Sequence, residues 1–374
     1  MENYLEQQPI TDYPLWERYK GRHKLHTITF EITERCNFNC RHCYINQPAG
    51  DRQRKKNEMS REFILKTADE AINLGAVWCL LTGGEPLLRP DFSDIYIDLK
   101  RKGLLLMLFT NAGLITKEHI NVFKEYPPYA IEVTIYGATR ETFEKVTRKP
   151  GSFERFRHGL NLLVEHKIPV RLKAMALQSN VHEMQEIAKF ARQYTADFYR
   201  FDPQLSLRAD FDQERNEIIR QERLTQNQIV DLENRDDQRR EALSKHCDKY
   251  IMSGPDRQTA YLLNCGAGNG SVVVSYDGRL KLCPYMLQPE FIYDLKQGSL
   301  ADAWKTFIPN VRKTTTQNPE YLNRCNNCRI FNLCSWCAAH AYLETGQSDQ
   351  PVEYLCQVAQ ARAGKSEKSH RDEK

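Results

Sequence analysis

Short apolar runs alternate with amphipathic segments over the first half of the chain. Six of these runs predict β-strands, and most are followed by apolar residues that recur with helical spacing. The predicted strands cover residues 27–33, 77–82, 104–109, 130–135, 170–176 and 198–201. One predicted helix begins after Ser60 and ends at Gly75, and a short one begins after Thr116. Three more cover residues 91–102, 153–166 and 181–194. This alternation predicts an α/β fold with a parallel sheet and outer helices, whether or not the sheet closes into a barrel.

The second half of the chain changes character twice. Residues 208–250 are dense in charged residues and glutamine, with apolar residues spaced as on amphipathic helices. We interpret this charge run as a solvated face of a helical bridge. From Cys265 onward the chain is rich in cysteine and contains a predicted hairpin, 271–275 and 280–282. The predicted organisation is an N-terminal extension (1–26), a core (27–206), a bridge (207–262), a cysteine-rich domain (263–362) and a disordered tail (363–374).

Composition narrows the class of protein. The chain has 374 residues, 41% of them hydrophobic, which indicates a globular protein. Its net charge of +4 is too small to indicate a nucleic-acid partner. The N-terminus has no signal-peptide pattern, and the longest apolar runs are far shorter than a membrane span. We therefore expect a cytoplasmic protein without membrane or nucleic-acid partners.

Twelve cysteines are an unusual number for an enzyme of this size. In the cytoplasm thiols stay reduced, so clustered cysteines indicate metal ligation rather than disulfides. The isolated Cys79 is better explained as a small buried hydrophobic residue.

Cys36, Cys40 and Cys43 form a C-x3-C-x2-C loop after the first predicted strand. Such spacing lets one loop bind three corners of an iron–sulfur cube, which leaves one iron open to a small molecule. Zinc would need a fourth ligand, which His23 or His26 could supply.

This loop, together with Gly83-Gly84-Glu85-Pro86 at the end of the second predicted strand, resembles the radical S-adenosylmethionine (radical SAM) superfamily over residues 27–203. The resemblance implies a partial (β/α)6 TIM-like barrel. It also implies that Cys36, Cys40 and Cys43 hold a 4Fe–4S cluster whose open iron binds S-adenosylmethionine.

The resemblance also assigns contacts with S-adenosylmethionine. His42 would lie against the adenine, and Thr134 would contact the ribose. The methionine amino group would meet Gly83, Gly84 and Glu85, because glycines allow close backbone approach and a carboxylate pairs with an ammonium. The methionine carboxylate would pair with Arg148, for which a surface ion pair is the alternative. Asn111 is a further pocket candidate, and Tyr136 stands where many relatives have aspartate.

Seven later cysteines resemble the SPASM domain, a C-terminal extension of radical SAM enzymes. They are Cys265, Cys283, Cys325, Cys328, Cys334, Cys337 and Cys356. Two residues separate Cys334 from Cys337, where the usual pattern has three. Two all-cysteine 4Fe–4S clusters need eight thiolates, one more than these seven.

By resemblance, the outer auxiliary cluster takes four of these cysteines and the inner one takes three. The outer set is Cys325, Cys328, Cys334 and Cys356, and the inner set is Cys265, Cys283 and Cys337. Cys247 is an alternative eighth ligand. A zinc ribbon built from the two C-x2-C pairs would leave three cysteines without a role.

SPASM relatives mostly modify peptides, so we expect an enzyme that cross-links or oxidises a ribosomally made peptide. The alternatives are a small-molecule substrate such as a tetrapyrrole, and a non-catalytic iron–sulfur or zinc scaffold that binds nucleic acid. A flavodoxin- or ferredoxin-type electron donor is implied. Only 26 residues precede the first strand, so we expect no fused leader-recognition domain, and a separate leader-binding protein stays open.

The catalytic base stays open at this stage. Pro284 follows Cys283, where anaerobic sulfatase maturases carry an aspartate base, and this argues against sulfatase maturation. Asp202, Tyr285 and Asp277 are candidate bases by position alone, and Asp277 also fits the hairpin turn.

Overall fold

A computed structural model describes residues 24–194, 200–237, 240, 260–263 and 265–372. Its centre is one nine-stranded sheet, flanked by a small parallel pair. The strands are β1 Thr27–Thr33, β2 Arg35–Cys36, β3 Gln47–Pro48, β4 Trp78–Gly83, β5 Leu105–Thr110, β6 Ala130–Ile135, β7 Val170–Met175, β8 Arg200–Asp202, β9 Ser271–Val274, β10 Arg279–Lys281 and β11 Tyr293–Asp294.

Six parallel strands form a partial barrel. The order across the sheet is β11-β10-β9-β1-β4-β5-β6-β7-β8, so β8 ends the row at one edge. From β1 to β8 in this order, neighbouring strands pair in parallel register, for example Thr27 with Trp78 and Met107 with Ala130. The α/β class predicted from the sequence is confirmed, and the six barrel strands begin close to their predicted first residues.

Helices cover the outside of the barrel. They are α1 Arg52–Asn57, α2 Arg61–Asn73, α3 Phe92–Arg101, α4 Lys117–Glu125, α5 Arg140–Thr147, α6 Ser152–Glu165 and α7 Met184–Ala191. Ser60 caps α2 by accepting a hydrogen bond from the Phe63 amide at 3.2 Å, as the sequence predicts. The predicted helix 181–194 is shorter, because Val181–Glu183 forms a 3₁₀ turn. Within the described ranges, none of the helices combines the length and apolar character needed to cross a membrane.

The charged bridge packs against the barrel. Its described helices are α8 Gln213–Glu222 and α9 Gln226–Arg235, whereas residues 241–259, with Cys247, lie outside the described residues. The interpretation of the charge run as a solvated face was wrong for Arg208, Glu222 and Glu233, whose exposed fractions are 1–2%. Charged side chains are buried this deeply only with partners. Here Glu222 pairs with Arg41.

The cysteine-rich region is joined to the barrel sheet rather than set apart from it. Strand β9 pairs in parallel with β1, and β10 pairs antiparallel with β9. Its helical segments are α10 Leu300–Asp302, α11 Ile308–Arg312, α12 Pro319–Tyr321, α13 Phe331–Cys334, α14 Ala338–Thr345 and α15 Glu353–Asp372, with π-helical turns at Ala303–Phe307 and Leu322–Asn326.

The last helix corrects one expectation. Residues from 363 were predicted to be a disordered tail, but α15 continues to Asp372. Arg362 pairs with the buried Glu233 of α9, which anchors the middle of this helix. Alanine, lysine, glutamate and arginine, which favour helix formation, dominate the sequence that follows.

Two glycines give a matched test of the packing. An alanine Cβ at Gly159 of α6 would lie 1.9 Å from the Ala112 carbonyl oxygen, whereas at Gly364 of α15 it would meet open space. We expect Gly159→Ala to lower the free energy of unfolding by about 1–3 kcal/mol through overpacking. Gly364→Ala should leave it unchanged or raise it by up to about 1 kcal/mol. Denaturant titration measures both, and equal effects would contradict this packing.

Candidate active site

Three cysteines of one loop face a common cavity. Cys36 ends β2, and Cys40 and Cys43 follow in the loop, where the Cys43 amide donates to the Cys40 carbonyl at 3.2 Å. All three line the same cavity. Burial raises the pKa of the Cys36 and Cys40 thiols, and the neighbouring thiols of the loop raise it further. Thiols held this close are suited to bind one shared metal cluster, which stabilises their thiolate forms.

Backbone contacts fix the shape of this loop. The amides of Asn39 and Arg41 donate to the carbonyls of Thr147 and Val146, both at 3.0 Å. Those two carbonyls lie at the C-terminal end of α5, where a helix leaves acceptors free. The end of α5 therefore holds the cysteine loop.

Polar side chains surround Cys36, and some of their buried atoms have no hydrogen-bond partner. Asn111 Nδ2 donates to Asn37 Oδ1 at 2.8 Å and lies 3.7 Å from Cys36 Sγ. The buried atoms Asn37 Nδ2 and His42 Nδ1 have no hydrogen-bond partner. A buried polar atom without a partner costs about 1–3 kcal/mol, so His42 Nδ1, whose ring lines the cavity, favours a polar molecule there. The site therefore fits a small polar ligand next to the three thiols.

Gly83 and Gly84 line the cavity where β4 ends. A Cβ on Gly83 would lie 2.1 Å from the Thr33 carbonyl oxygen, and one on Gly84 would lie 2.4 Å from that of Arg35. Gly83 also has a φ of +140°, which an L side chain rarely adopts. The glycines thus let this turn lie directly against the end of β1, below the cysteine loop.

Glu85 was expected to reach the methionine ammonium, but the structure uses its carboxylate elsewhere. The side chain is fully buried and accepts hydrogen bonds from Thr110 Oγ1 and the Asn111 amide, both at 2.8 Å, and from the Leu87 amide at 3.2 Å. Burial raises the pKa of Glu85 to about 7. Glu85 therefore ties its turn to the end of β5 and is not among the residues that line the cavity.

Of the other residues predicted to contact S-adenosylmethionine, His42 and Thr134 line the cavity and Arg148 does not. The His42 ring lies 5.3 Å from that of Tyr136, centroid to centroid. Burial lowers the pKa of His42 to about 4. Arg148 instead ends α5 with a left-handed φ of +51°, is exposed and does not line the cavity. The left-handed backbone turns the chain out of the helix there, and the pairing of Arg148 with the methionine carboxylate stays a prediction.

The later cysteines fall into two separate neighbourhoods. Burial, together with the neighbouring thiols Cys337 and Cys265, raises the pKa of Cys283 to about 12. Burial likewise raises the pKa of Cys325 and Cys334 to about 12, and here the neighbouring thiols are Cys356 and Cys328. The structure thus brings together the same three and the same four cysteines that the resemblance groups.

These neighbourhoods are not arranged for a single ion. In the part of the chain that the structure describes, no three His, Cys, Asp or Glu side chains gather around one point as a lone metal ion would require. The cysteines of an iron–sulfur cube each bind a different iron atom, so they need not converge on one point.

One cavity of about 620 Å³ connects the cysteine loop with the inner neighbourhood. Its lining includes Cys36, Cys40 and Cys43 of the loop, and Cys265 and Cys283 of the inner neighbourhood. The cavity lies at the carboxyl ends of the parallel strands, where α/β proteins place their chemistry.

Several cavity residues were missed from the sequence. Glu31, Tyr44 and Lys173 all line the cavity. The Tyr44 and Tyr285 rings lie 5.0 Å apart, centroid to centroid, and so connect the cysteine loop with the chain after Cys283. Glu31 could have been noticed as an acidic residue between the apolar Phe30 and Ile32 of β1. No comparable signal marks Tyr44 or Lys173.

Two of the three candidate bases line the cavity, and the third does not. Asp202 and Tyr285 line the cavity. Asp277 lies in the hairpin turn, where it accepts hydrogen bonds from Ser275 Oγ at 2.6 Å and Arg279 Nε at 2.7 Å. Asp277 is therefore a turn residue.

The fold and the site define a class of enzyme. Residues 30–191, a little under half of the chain, match the family model described as the radical SAM superfamily. This part of the chain is a radical SAM domain, and the family it matches implies S-adenosylmethionine and a 4Fe–4S cluster as cofactors. The cysteine-rich C-terminal region fits the SPASM type of extension.

Two proteins are similar to this chain in sequence, and a solved structure is similar to it in fold. It is 25% identical over 335 residues to an AdoMet-dependent heme synthase of Methanosarcina barkeri, covering 85% of this chain and 93% of that protein. It is also 25% identical over 314 residues to the antilisterial bacteriocin subtilosin biosynthesis protein AlbA of Bacillus subtilis, covering 83% and 66%. The fold resembles Streptococcus suis SuiB bound to precursor peptide SuiA, with a TM-score of 0.65, 12% identity and coverage of 92% and 78%.

Proposed function

We propose that this enzyme forms a 5′-deoxyadenosyl radical and uses it to oxidise or cross-link a ribosomally made peptide. When bound, the cluster supplies the electron that cleaves S-adenosylmethionine to methionine and this radical. The observation that carries the proposal is the cavity lined both by the cysteine loop and by Cys265 and Cys283 of the inner neighbourhood. A substrate in it would lie between two metal-binding regions and away from bulk water.

In this proposal, Cys36, Cys40 and Cys43 hold the S-adenosylmethionine-binding cluster. His42, Gly83, Gly84 and Thr134 line the space beside it and would contact the bound cofactor. The unpartnered His42 Nδ1 is free to hydrogen-bond a ligand there. Glu85 would act indirectly, because its carboxylate holds the Asn111 amide.

We propose two auxiliary 4Fe–4S clusters in the C-terminal domain. The inner cluster would bind Cys265, Cys283 and Cys337. The outer cluster would bind Cys325, Cys328, Cys334 and Cys356. Burial around Cys283, Cys325 and Cys334 supports such sites, since a hydrophobic shell controls solvent access and redox potential, whereas Cys265 is exposed. Cys247 stays a candidate for the eighth ligand.

The cavity volume favours a peptide over a tetrapyrrole. A cavity of about 620 Å³ is of the size that holds one drug-sized ligand. With S-adenosylmethionine in place, the remaining space suits one side chain of a peptide better than a whole macrocycle. The likeness to AlbA agrees with this substrate class.

A tetrapyrrole is the second candidate, because the likeness to a heme synthase extends over nearly the whole of that protein. With either substrate, a flavodoxin- or ferredoxin-type donor would supply the electron. A separate leader-binding protein would serve a peptide substrate.

A direct competition assay tests the substrate. The anaerobically reconstituted enzyme is given S-adenosylmethionine and dithionite, with either synthetic peptides encoded beside its gene or iron coproporphyrin. We expect one peptide to lose two hydrogens by mass spectrometry, with 5′-deoxyadenosine formed alongside. Conversion of the tetrapyrrole alone would overturn the peptide proposal. The iron and sulfide content, measured first, shows that the enzyme is loaded, and zinc with little iron would overturn the cluster assignment.

A further inference from the structure

The charged bridge packs on the back of the cysteine loop. Arg208 comes just after β8, and its side chain is 1% exposed. Its Nη1 donates to the Cys43 carbonyl at 3.1 Å and to Asn46 Oδ1 at 3.2 Å, and its guanidinium pairs with Asp210. The bridge therefore contacts a proposed cluster ligand through that ligand's own backbone.

Arg215 of α8 reaches the same loop from a second direction. Its Nη1 donates to the Asn46 carbonyl at 3.0 Å, and its Nη2 donates to Asn39 Oδ1 at 3.2 Å. Asn46 is 3% exposed, and its Nδ2 donates to the Phe38 carbonyl at 3.3 Å. Asn46 thus closes the loop from within, and both arginines hold it there.

The two arginines differ in charge balance. Arg208 pairs directly with the Asp210 carboxylate, whereas the hydrogen bonds of Arg215 go to amide oxygens. The Asp210 and Asp212 carboxylates also lie within electrostatic range of Arg215. Arg215 also lies within electrostatic range of Cys40 and Cys43. Its positive charge therefore acts on two proposed thiolate ligands, and its hydrogen bond to Asn39 holds it next to Cys40. Partial burial strengthens such an interaction relative to a fully solvated one.

We propose that Arg215 is a positioning residue for the cluster held by Cys36, Cys40 and Cys43, and that its charge raises the reduction potential of that cluster. Reduction adds one negative charge, so a fixed neighbouring cation stabilises the reduced form. The proposal rests on the ligand assignment made under Proposed function, but it does not depend on the substrate.

Three variants separate charge from packing. Arg215→Gln removes the charge and keeps a donor, Arg215→Lys keeps the charge, and Arg220→Gln is the control. Arg220 is on the same helix, with a side chain 39% exposed and an ion pair to Glu217 at 3.9 Å. The readout is a redox titration followed by electron paramagnetic resonance of the signal that shifts when S-adenosylmethionine is added.

At a fixed potential, we expect the reduced-to-oxidised ratio of this cluster to fall at least threefold in Arg215→Gln, about 28 mV for one electron. Arg215→Lys and Arg220→Gln should stay within that limit. An unchanged ratio in Arg215→Gln would overturn the proposal. If Arg215→Gln folds but loses this iron, retention in Arg215→Lys supports the proposal, and loss in both overturns the role of charge. A wild-type enzyme without an S-adenosylmethionine-sensitive signal would instead refute the proposed function.

Discussion

Cys43→Ala is expected to reduce the formation of 5′-deoxyadenosine from S-adenosylmethionine to background. The same result is expected for Cys36→Ala and Cys40→Ala, because a cluster bound by three cysteines cannot spare one of them. The assay uses anaerobically reconstituted protein with dithionite, and the nucleoside is measured by chromatography and mass spectrometry.

Cys79→Ala is the matched control for this loss. Cys79 lies in β4 with 1% exposure and does not line the cavity, so its replacement removes a buried thiol without touching the site. We expect this variant to retain 5′-deoxyadenosine formation. Wild-type activity in any of the three loop variants would refute the ligand assignment.

Lys281→Met should produce the largest loss of stability. Lys281 Nζ lies 2.8 Å from Glu31 Oε2, and the two side chains are 5% and 3% exposed. Removing one partner of a buried ion pair leaves an uncompensated charge, at a cost of about 3–5 kcal/mol. Denaturant titration of the iron-loaded enzyme measures the change in the free energy of unfolding.

Two further variants show whether burial is the cause. Replacing both partners, in Glu31→Leu with Lys281→Met, should recover most of the lost stability, because neither charge is then stranded. Arg140→Gln breaks the exposed pair with Glu154, whose side chains are 58% and 61% exposed, and should cost less than about 1 kcal/mol. A loss in Lys281→Met no larger than in Arg140→Gln would contradict the buried pair.

The barrel could be predicted because its information is local. Apolar periodicity marks each strand, and caps such as Ser60 mark helix starts within a few residues. The pairing of β9 with β1 could not be predicted in this way, since those strands are about 240 residues apart in the sequence. Periodicity shows that a strand has apolar faces but not which neighbour it will meet.

The residues of the site could be predicted where a motif with fixed spacing marks them. They could not be predicted where the contacts join side chains that are distant in the sequence. The cysteine loop was found from three close thiols, but its contacts with Arg208 and Arg215 join segments more than 160 residues apart. A charged helix that faces solvent and one that faces a polar loop have the same composition. The hydrogen bonds of Glu85 escaped prediction for a related reason, because two of its three donors, Thr110 and Asn111, come from the end of β5.

The pairing of β9 with β1 also governs how far apart two groups of cysteines lie. Strand β1 leads into the loop of Cys36, and the hairpin that begins with β9 leads to Cys283. Both therefore start from adjacent rungs of one hydrogen-bonded ladder, where Phe30 is paired with Val274. Shifting that register by a single residue would move one group by about 3.3 Å and reverse every side chain of the strand. A C-terminal domain exchanged from a relative should thus be compatible only when the join preserves this register, whatever the length of the connecting bridge.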